Sequence, residues 1–239
     1  MLALCRAQDL GLDVQLLITF SPPGKVFYAH DKRAIAAQGE SLKMPHRMLD
    51  ICAAAGDFKA AYIKCLGRLR DAATDVLISG DMALVGSMQG NWMRECAEAS
   101  GLTMYCPLWG ADRKVILLEC LARRLRVVFT CVKAPWFDAG WIGREITAAV
   151  VDELQELSSG SGLDVCGENG EYHTMVLDGP MFAQSLRLHD CQAKVLDTGS
   201  TKESKGTVWY LEVGSIQVQD KASTCELVRM RTPLAHTSR

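Results

Sequence analysis

No Cys-x-x-Cys pair occurs in this chain, although it has 10 cysteines; the nearest pairs are Cys96 with Cys106 and Cys120 with Cys131. Structural zinc sites draw on closely spaced ligand pairs, so a zinc module is excluded and no metal ligand is assigned. Cys52, Cys65, Cys120 and Cys131 stand inside apolar segments and read as small buried hydrophobes. Charge of one sign is also lacking: 26 basic residues against 28 acidic ones leave a net charge of −2, which argues against electrostatic wrapping of nucleic acid. The cluster Arg123, Arg124 and Arg126 lies at an expected helix end, where cations complement the helix dipole. No apolar run reaches the length of a membrane span, and Arg6 and Asp9 interrupt the only apolar start, so neither a membrane span nor a signal peptide is expected. A cytoplasmic, reduced protein is the expectation. There is no internal repeat and no low-complexity tract.

What is present alternates. Leu2–Gln8 reads as a helix ended by Gly11, and Val14–Phe20 as a buried strand closed by Ser21-Pro22-Pro23-Gly24. Residues 25–42 are polar and mixed, expected as a loop or short irregular helix. Helical spacing follows at 46–55 and 58–72, then a strand at 74–79 ending in Gly80-Asp81. A helix at 92–99, a strand at 103–107 and a helix at 113–122 with Asp112 as N-cap come next. A strand at 126–132 completes the series. This alternation predicts an α/β fold with a parallel sheet and helices on both faces. Beyond Lys133 the texture changes: a helix is expected at 142–157, then strands at 182–189, 192–196, 208–213 and 216–218. Residues 197–206 are expected as a surface loop and 224–239 as a fraying end. The expected division is 1–130, 131–222 as a smaller α+β domain, and a tail at 223–239.

The most distinctive stretch is Asp164 to Phe182. Gly167 and Gly170 alternate with Glu168 and Glu171 just before a strand-like run from His173 to Leu177, and Asp178-Gly179-Pro180 stops that run. Glycine permits positive φ and close backbone approach, so the segment reads as a tight loop whose amides and acids can face one ligand. A glycine-rich turn with solvated acids has the same composition.

Cys166 to Pro180 resembles the Gly-Glu-Gly-Gly-Glu-Tyr-Glu-Thr…Leu-Asp-Gly-Pro signature of the diphthine–ammonia ligase family, within the PP-loop ATP pyrophosphatases. Asn169 stands where glycine is usual, and His173 where an acid is usual. Three further elements are similar and in the same order: Ile78-Ser79-Gly80-Asp81, Pro107-Leu108-Trp109-Gly110 and Trp141-Ile142-Gly143-Arg144. The resemblance implies a Rossmann-like ATP domain, of adenine nucleotide alpha hydrolase type, followed by a substrate domain. It also implies ATP and Mg²⁺ as cofactors, with ammonium and elongation factor 2 as partners. The implied reaction is amidation of diphthine through an acyl-adenylate.

The family's phosphate loop, Ser-Gly-Gly-Lys-Asp-Ser, does not occur in these 239 residues. The expected sheet is therefore incomplete at its N-terminal side, leaving a central strand position open and its neighbours with unpaired edges. Two readings stand side by side: a shortened amide ligase, or a homologue without ATP chemistry that binds its target. A third is an ATP pyrophosphatase with another substrate. On this resemblance Gly167, Glu168, Gly170, Glu171, Tyr172 and Thr174 are candidate substrate-binding residues, and Gly80, Asp81 and Trp109 candidate cofactor-binding residues. The two glutamates can orient ammonium or a trimethylammonium group, or hold Mg²⁺; as solvated turn acids they need no ligand. Tyr172 can stack on a cation or close the core edge. Gly80 and Asp81 suit ligand contact or helix capping, Trp109 a nucleotide pocket or interdomain packing, and Arg144 a phosphate or a solvated helix start. Cys166 reads as a packed thiol, and His173 alternates to the face opposite Tyr172. No catalytic residue is assigned.

Overall fold

The computed structural model describes residues 1–21, 27–53, 56–70, 74–84, 88–196 and 206–221. Helix α1 (Leu2–Asp9) buries Leu2, Ala3, Leu4, Cys5 and Ala7. Strand β1 (Leu17–Ser21) pairs in parallel with β2 (His46–Asp50), Leu17 opposite His46 and Ser21 opposite Asp50. Helix α2 (Lys32–Ser41) joins them, and its N-cap Asp31 accepts a hydrogen bond from the Arg33 amide.

Two expectations fail in this stretch. Residues 32–41, expected as loop or irregular helix, form a regular helix because its buried stripe is made of small residues, Ala34, Ala37, Gly39 and Ser41, which hydrophobic counting overlooks. A Cβ on Gly39 would stand 2.7 Å from the His46 Cβ, so that helix lies against β2. Residues 46–50, expected as helix, form a strand instead. Pairing with the β1 edge outweighs a helical spacing too short to decide between periods. Residues 54 and 55 of that expected helix lie outside the described residues, as do 22–26, 71–73, 197–205 and the tail from 222.

A second α/β unit follows. Helix α3 (Phe58–Arg70) precedes β3 (Val76–Ile78), and helix α4 (Trp92–Ala99) lies between β3 and its parallel partner β4 (Thr103–Tyr105). The N-cap Asn91 accepts from the Arg94 amide at 2.9 Å. Leu66, Leu69, Leu77, Cys96, Ala97, Leu102 and Met104 form the core between these elements.

The parallel strands thus come as two separate two-stranded pieces, β1–β2 and β3–β4, among the described residues. β5 (Arg126–Lys133) does not extend either of them. After α5 (Arg113–Ala122) it becomes an inner strand of an antiparallel sheet ordered β6-β5-β9-β8, built with β6 (Tyr172–Asp178), β8 (Gln192–Leu196) and β9 (Val208–Glu212). β7 (Gln184–His189) and β10 (Ser215–Asp220) form an antiparallel pair of their own.

Helix α6 (Ala148–Ser158) starts six residues later than the spacing predicts, at its N-cap Thr147. Residues 143–146 instead run along β5: Phe129 and Val127 exchange backbone hydrogen bonds with Gly143, Arg144 and Ile146. Cys131 is buried as expected, but Cys52 is exposed and Cys65 and Cys120 only half-buried. A cysteine in an apolar run packs only if the run itself is covered.

α1 is fastened to α5 by charge. Arg6 pairs with Glu119 and donates to the Pro107 carbonyl at 2.8 Å, while Arg123 reaches Asp9 at 2.6 Å and Glu119 at 2.8 Å. No helix among the described residues is long and apolar enough to cross a membrane.

Phe129 is fully buried and meets Trp141, Tyr172 and Phe137 at ring distances of 5.3, 5.0 and 6.3 Å. Phe129→Ala should therefore lower stability by about 3–5 kcal/mol, read from urea unfolding midpoints.

Candidate functional site

The signature loop is shaped from within by Glu171. Its side chain is only 1% exposed. One carboxylate oxygen accepts from the Asp164 amide at 2.9 Å and the other from the Asn169 amide at 2.9 Å. The Asn169 side-chain amide adds a contact at 3.4 Å, a donor that glycine at that position would not supply. Gly167 takes φ +73 and a Cβ there would stand 2.9 Å from the Tyr172 carbonyl oxygen, so only glycine closes the turn.

Tyr172 is buried, donates its hydroxyl to the Val165 carbonyl at 2.6 Å and sits against Phe129 and Phe137. Burial pushes its phenol well above the ordinary value. Gly170 takes φ +81 with open space beside it.

Glu168 points elsewhere. It is half-buried, its carboxyl is raised above the ordinary range by desolvation, and the Met82 amide donates to it. Met82 uses its other backbone group as well: its carbonyl accepts from the Gly110 amide at 2.9 Å. Three separated motifs therefore meet at one residue: the end of β3, the Pro107–Gly110 turn and the signature loop.

Arg113, at the start of α5, braces this junction with a 3.0 Å ion pair to Asp164. The Asp164 carboxylate also accepts from the Cys166 amide at 2.8 Å. The Cys166 thiol donates to the Arg113 carbonyl at 3.3 Å, and burial lifts it to about 12, so it is a packed, unreactive group. Asp81 accepts from the Asn91 side chain at 2.8 Å and so supports the N-cap of α4. Trp109 stands at the same junction 44% exposed, without a ring partner among the described aromatic contacts.

Glu168, Tyr172, Thr174 and Gly80 line one cavity of about 1010 Å³, together with Ile78, Met82 and Leu108. Gly167, Gly170, Glu171, Asp81 and Trp109 are not in its wall; the first three shape the loop and the other two lie at its margin. Arg144 is away from the junction, stacked 4.0 Å over Trp141 and paired with Glu153 at 2.5 Å.

His173 faces the opposite side of β6, where its ring meets His30 edge-on at 5.6 Å. Burial lowers His30 to about 4, with His173 adding repulsion. Sequence reasoning passed over Met82 and Arg113, and noted Asn169 only as a departure from the usual glycine. Met82 acts through its backbone and Arg113 through a partner 51 residues away, and neither leaves a local signal.

Comparisons with known proteins bear on the same region. Residues 113–221 match the family described as diphthamide synthase C-terminal domain. The chain is also similar in sequence to proteins named diphthine–ammonia ligase. It is 29% identical over 139 residues to the diphthine–ammonia ligase of Schizosaccharomyces pombe, covering 58% of this chain and 22% of that protein. Against the Mus musculus enzyme it is 24% identical over 142 residues, 59% of this chain and 52% of the relative. Against the Homo sapiens enzyme it is 26% identical over 117 residues, 49% of this chain and 42% of the relative. The chain thus spans about half or less of the curated relatives it matches.

Glu171→Ala removes the shared acceptor of two loop amides and should cost about 1–3 kcal/mol, with faster exchange of the Asp164 and Asn169 amides. Glu171→Gln keeps one acceptor and should lose less. His30 is depressed in the folded state, so its contribution is fully present above the unfolded value near 6.5 and lost as pH falls towards 4. Thermal unfolding across pH 7.5 to 4 should show that slope in the wild type and a shallower one in His30→Gln.

Proposed function

We propose that this chain serves the ATP-dependent amidation of diphthine on elongation factor 2. The net reaction converts the diphthine carboxylate and ammonia, with ATP, into the amide, AMP and pyrophosphate. The observation that carries the reading is the meeting of Gly80–Met82 and Pro107–Gly110 at Met82 with the signature loop, the last of which lies in the matched region 113–221.

Glu168 is the recognition group in this reading. A half-buried carboxylate held by a backbone amide suits a cation, either the ammonium nucleophile or a trimethylammonium group beside the reacting carboxylate. Gly167 and Gly170 keep the loop close to the ligand, Glu171 and Tyr172 hold its shape, and Thr174 offers a hydroxyl on the cavity side. We assign Gly80, Asp81 and Trp109 to the nucleotide margin, as parts of a Rossmann-like domain. Ile78 and Leu108 suit the apolar faces of an adenine ring.

The phosphate end fits less well. Among the described lining residues Asp13, Asp75 and Glu168 are acidic and none is Lys, Arg or His. No three metal-ligating side chains converge among the described residues. No step is therefore routed here through the triphosphate or through Mg²⁺. That same acidic lining favours the second reading, a module that recognises elongation factor 2 without ATP chemistry of its own.

The test begins with calorimetry of ATP and Mg²⁺ against the 239-residue chain, followed by AMP release with ammonium and diphthine-bearing elongation factor 2. The ligase reading expects factor-dependent AMP release, reduced by about 10- to 100-fold in Glu168→Gln for one lost charge-assisted contact. Binding of the factor with no ATP binding and no AMP would instead establish the recognition module.

A further inference from the structure

The face of β6 turned away from Tyr172 carries a pair of side chains that amidation does not use. His173 stands on that face, and His30, in the segment leading into α2, meets it edge-on with ring centres 5.6 Å apart. Two residues before His30, Tyr28 packs against Tyr210 of β9 at 4.9 Å. Since β9 and β6 flank β5, that segment crosses the sheet above β5 and delivers His30 to His173.

Among the described residues no hydrogen bond or ion pair uses a nitrogen of either ring. The other described histidines are both engaged: His46 meets the Thr19 hydroxyl at 3.0 Å, and His189 the Gln217 side chain at 3.3 Å. Polar groups that lose water without gaining a partner cost free energy. Burial lowers both rings, His30 to about 4, so each keeps a free lone pair at neutral pH. His173 stays exposed on one side, which leaves a route from solvent.

A bulge lies directly across from the pair. β5 sets Phe129 opposite Thr174 and Cys131 opposite His173, so Thr130 is an extra residue. Phe129 and Val132, three apart, both join the core on the Tyr172 side. Thr130 and Cys131 between them therefore turn to the His173 side. Thr130 is 3% exposed, and its hydroxyl has no partner among the described residues. Two imidazoles and an orphaned hydroxyl thus share one face around a bulge.

The ring separation suits one kind of ligand. An ion at about 2.0–2.1 Å from a ring nitrogen lies about 3.2 Å from the ring centre, which puts two imidazoles on one tetrahedral ion with centres about 5.2 Å apart and at most about 6.4 Å. The observed 5.6 Å falls between these.

We propose that His30 and His173 form a two-histidine site for a borderline divalent cation such as Zn²⁺. Solvent completes the shell, and a water on the ion donates to the Thr130 hydroxyl, which thereby gains the partner it lacks. Imidazole suits such ions, whereas Mg²⁺ takes carboxylate and water oxygens. No group of three metal-ligating side chains converges among the described residues, so the ion is exchangeable rather than structural. The site is independent of the amidation reading. It depends on His173, which stands where the resembling signature has an acid.

The probe is Zn²⁺ added to the intact chain, with the histidine ring nitrogens followed by long-range proton–nitrogen NMR. The His30 and His173 signals should move together, while those of His46 and His189 stay in place. Mg²⁺ should move none of them. In calorimetry the Zn²⁺ affinity should fall at least about tenfold in His30→Gln and in His173→Gln, and by about tenfold in Thr130→Val, which keeps the shape but not the hydroxyl.

A titration that moves neither ring would overturn the proposal. Movement of one ring alone would mean an adventitious ion only, and would overturn it equally. So would an affinity unchanged in both histidine variants. Co²⁺ in place of Zn²⁺ tests the neighbouring thiol: a sulfur-to-cobalt absorption band that Cys131→Ser removes would make this a thiolate site and sink the two-histidine assignment. The ring signals are read on the wild type, so a variant that fails to fold does not decide the outcome. Loss of AMP release with both rings still responding to Zn²⁺ would count against the amidation reading and leave the metal site standing.

Discussion

A buried carboxylate loses its hydration, and Glu171 offsets that loss with the amides of Asp164 and Asn169. The bonds act on the chain as much as on the acid. They draw the segment from 164 to 171 into a closed turn, set Tyr172 into the aromatic core and leave Glu168 facing Met82. Two glutamates three residues apart thus divide the work: one is consumed by the fold, and the other is presented to the cavity. Only the second keeps an environment suited to a ligand.

That division was not legible in the sequence, where the two acids look alike. The loop, the strand after it and its stop at Asp178 were, because glycine and proline act locally. Elements with their own end signals were equally plain: α4 behind Asn91 and α5 behind Asp112. The failures share a different cause. β2 is a strand because of what lies beside it, and α2 is buried through small residues that carry little hydrophobic signal. β5 carries the same run of aliphatic residues a parallel strand would, and the direction of its partners is a long-range property. The motifs were legible as motifs; their meeting at one backbone residue, Met82, was not.

The junction also relates the two parallel strand pairs to the antiparallel sheet. Met82 follows β3, so its two backbone bonds tie the end of the β3–β4 piece to both the Gly110 turn and the signature loop. The ion pair between Arg113 and Asp164 fixes α5 to the same loop from the other side. A cavity with Glu168, Met82 and Leu108 in its wall lies beside this junction. The candidate ligand residues Glu168, Tyr172, Thr174 and Gly80 therefore share one space.

The position of α1 has a consequence for how the chain folds as it is made. Its Cys5 thiol meets the Met181 sulfur at 3.1 Å, and its Arg6 meets Glu119, so the first helix is seated against residues 113 to 176 positions later. At ordinary synthesis rates that separation is roughly 6–35 s of elongation. During that interval Leu4 can pack only on its earlier neighbours Ala34, Ala37 and Leu42, while the core that takes Leu2 and Cys5 still lacks Ile116, Leu117 and Val127. α1 thus completes its seat only after Glu119 and Met181 have been made, which makes it a natural client for a chaperone that shields short apolar segments during translation.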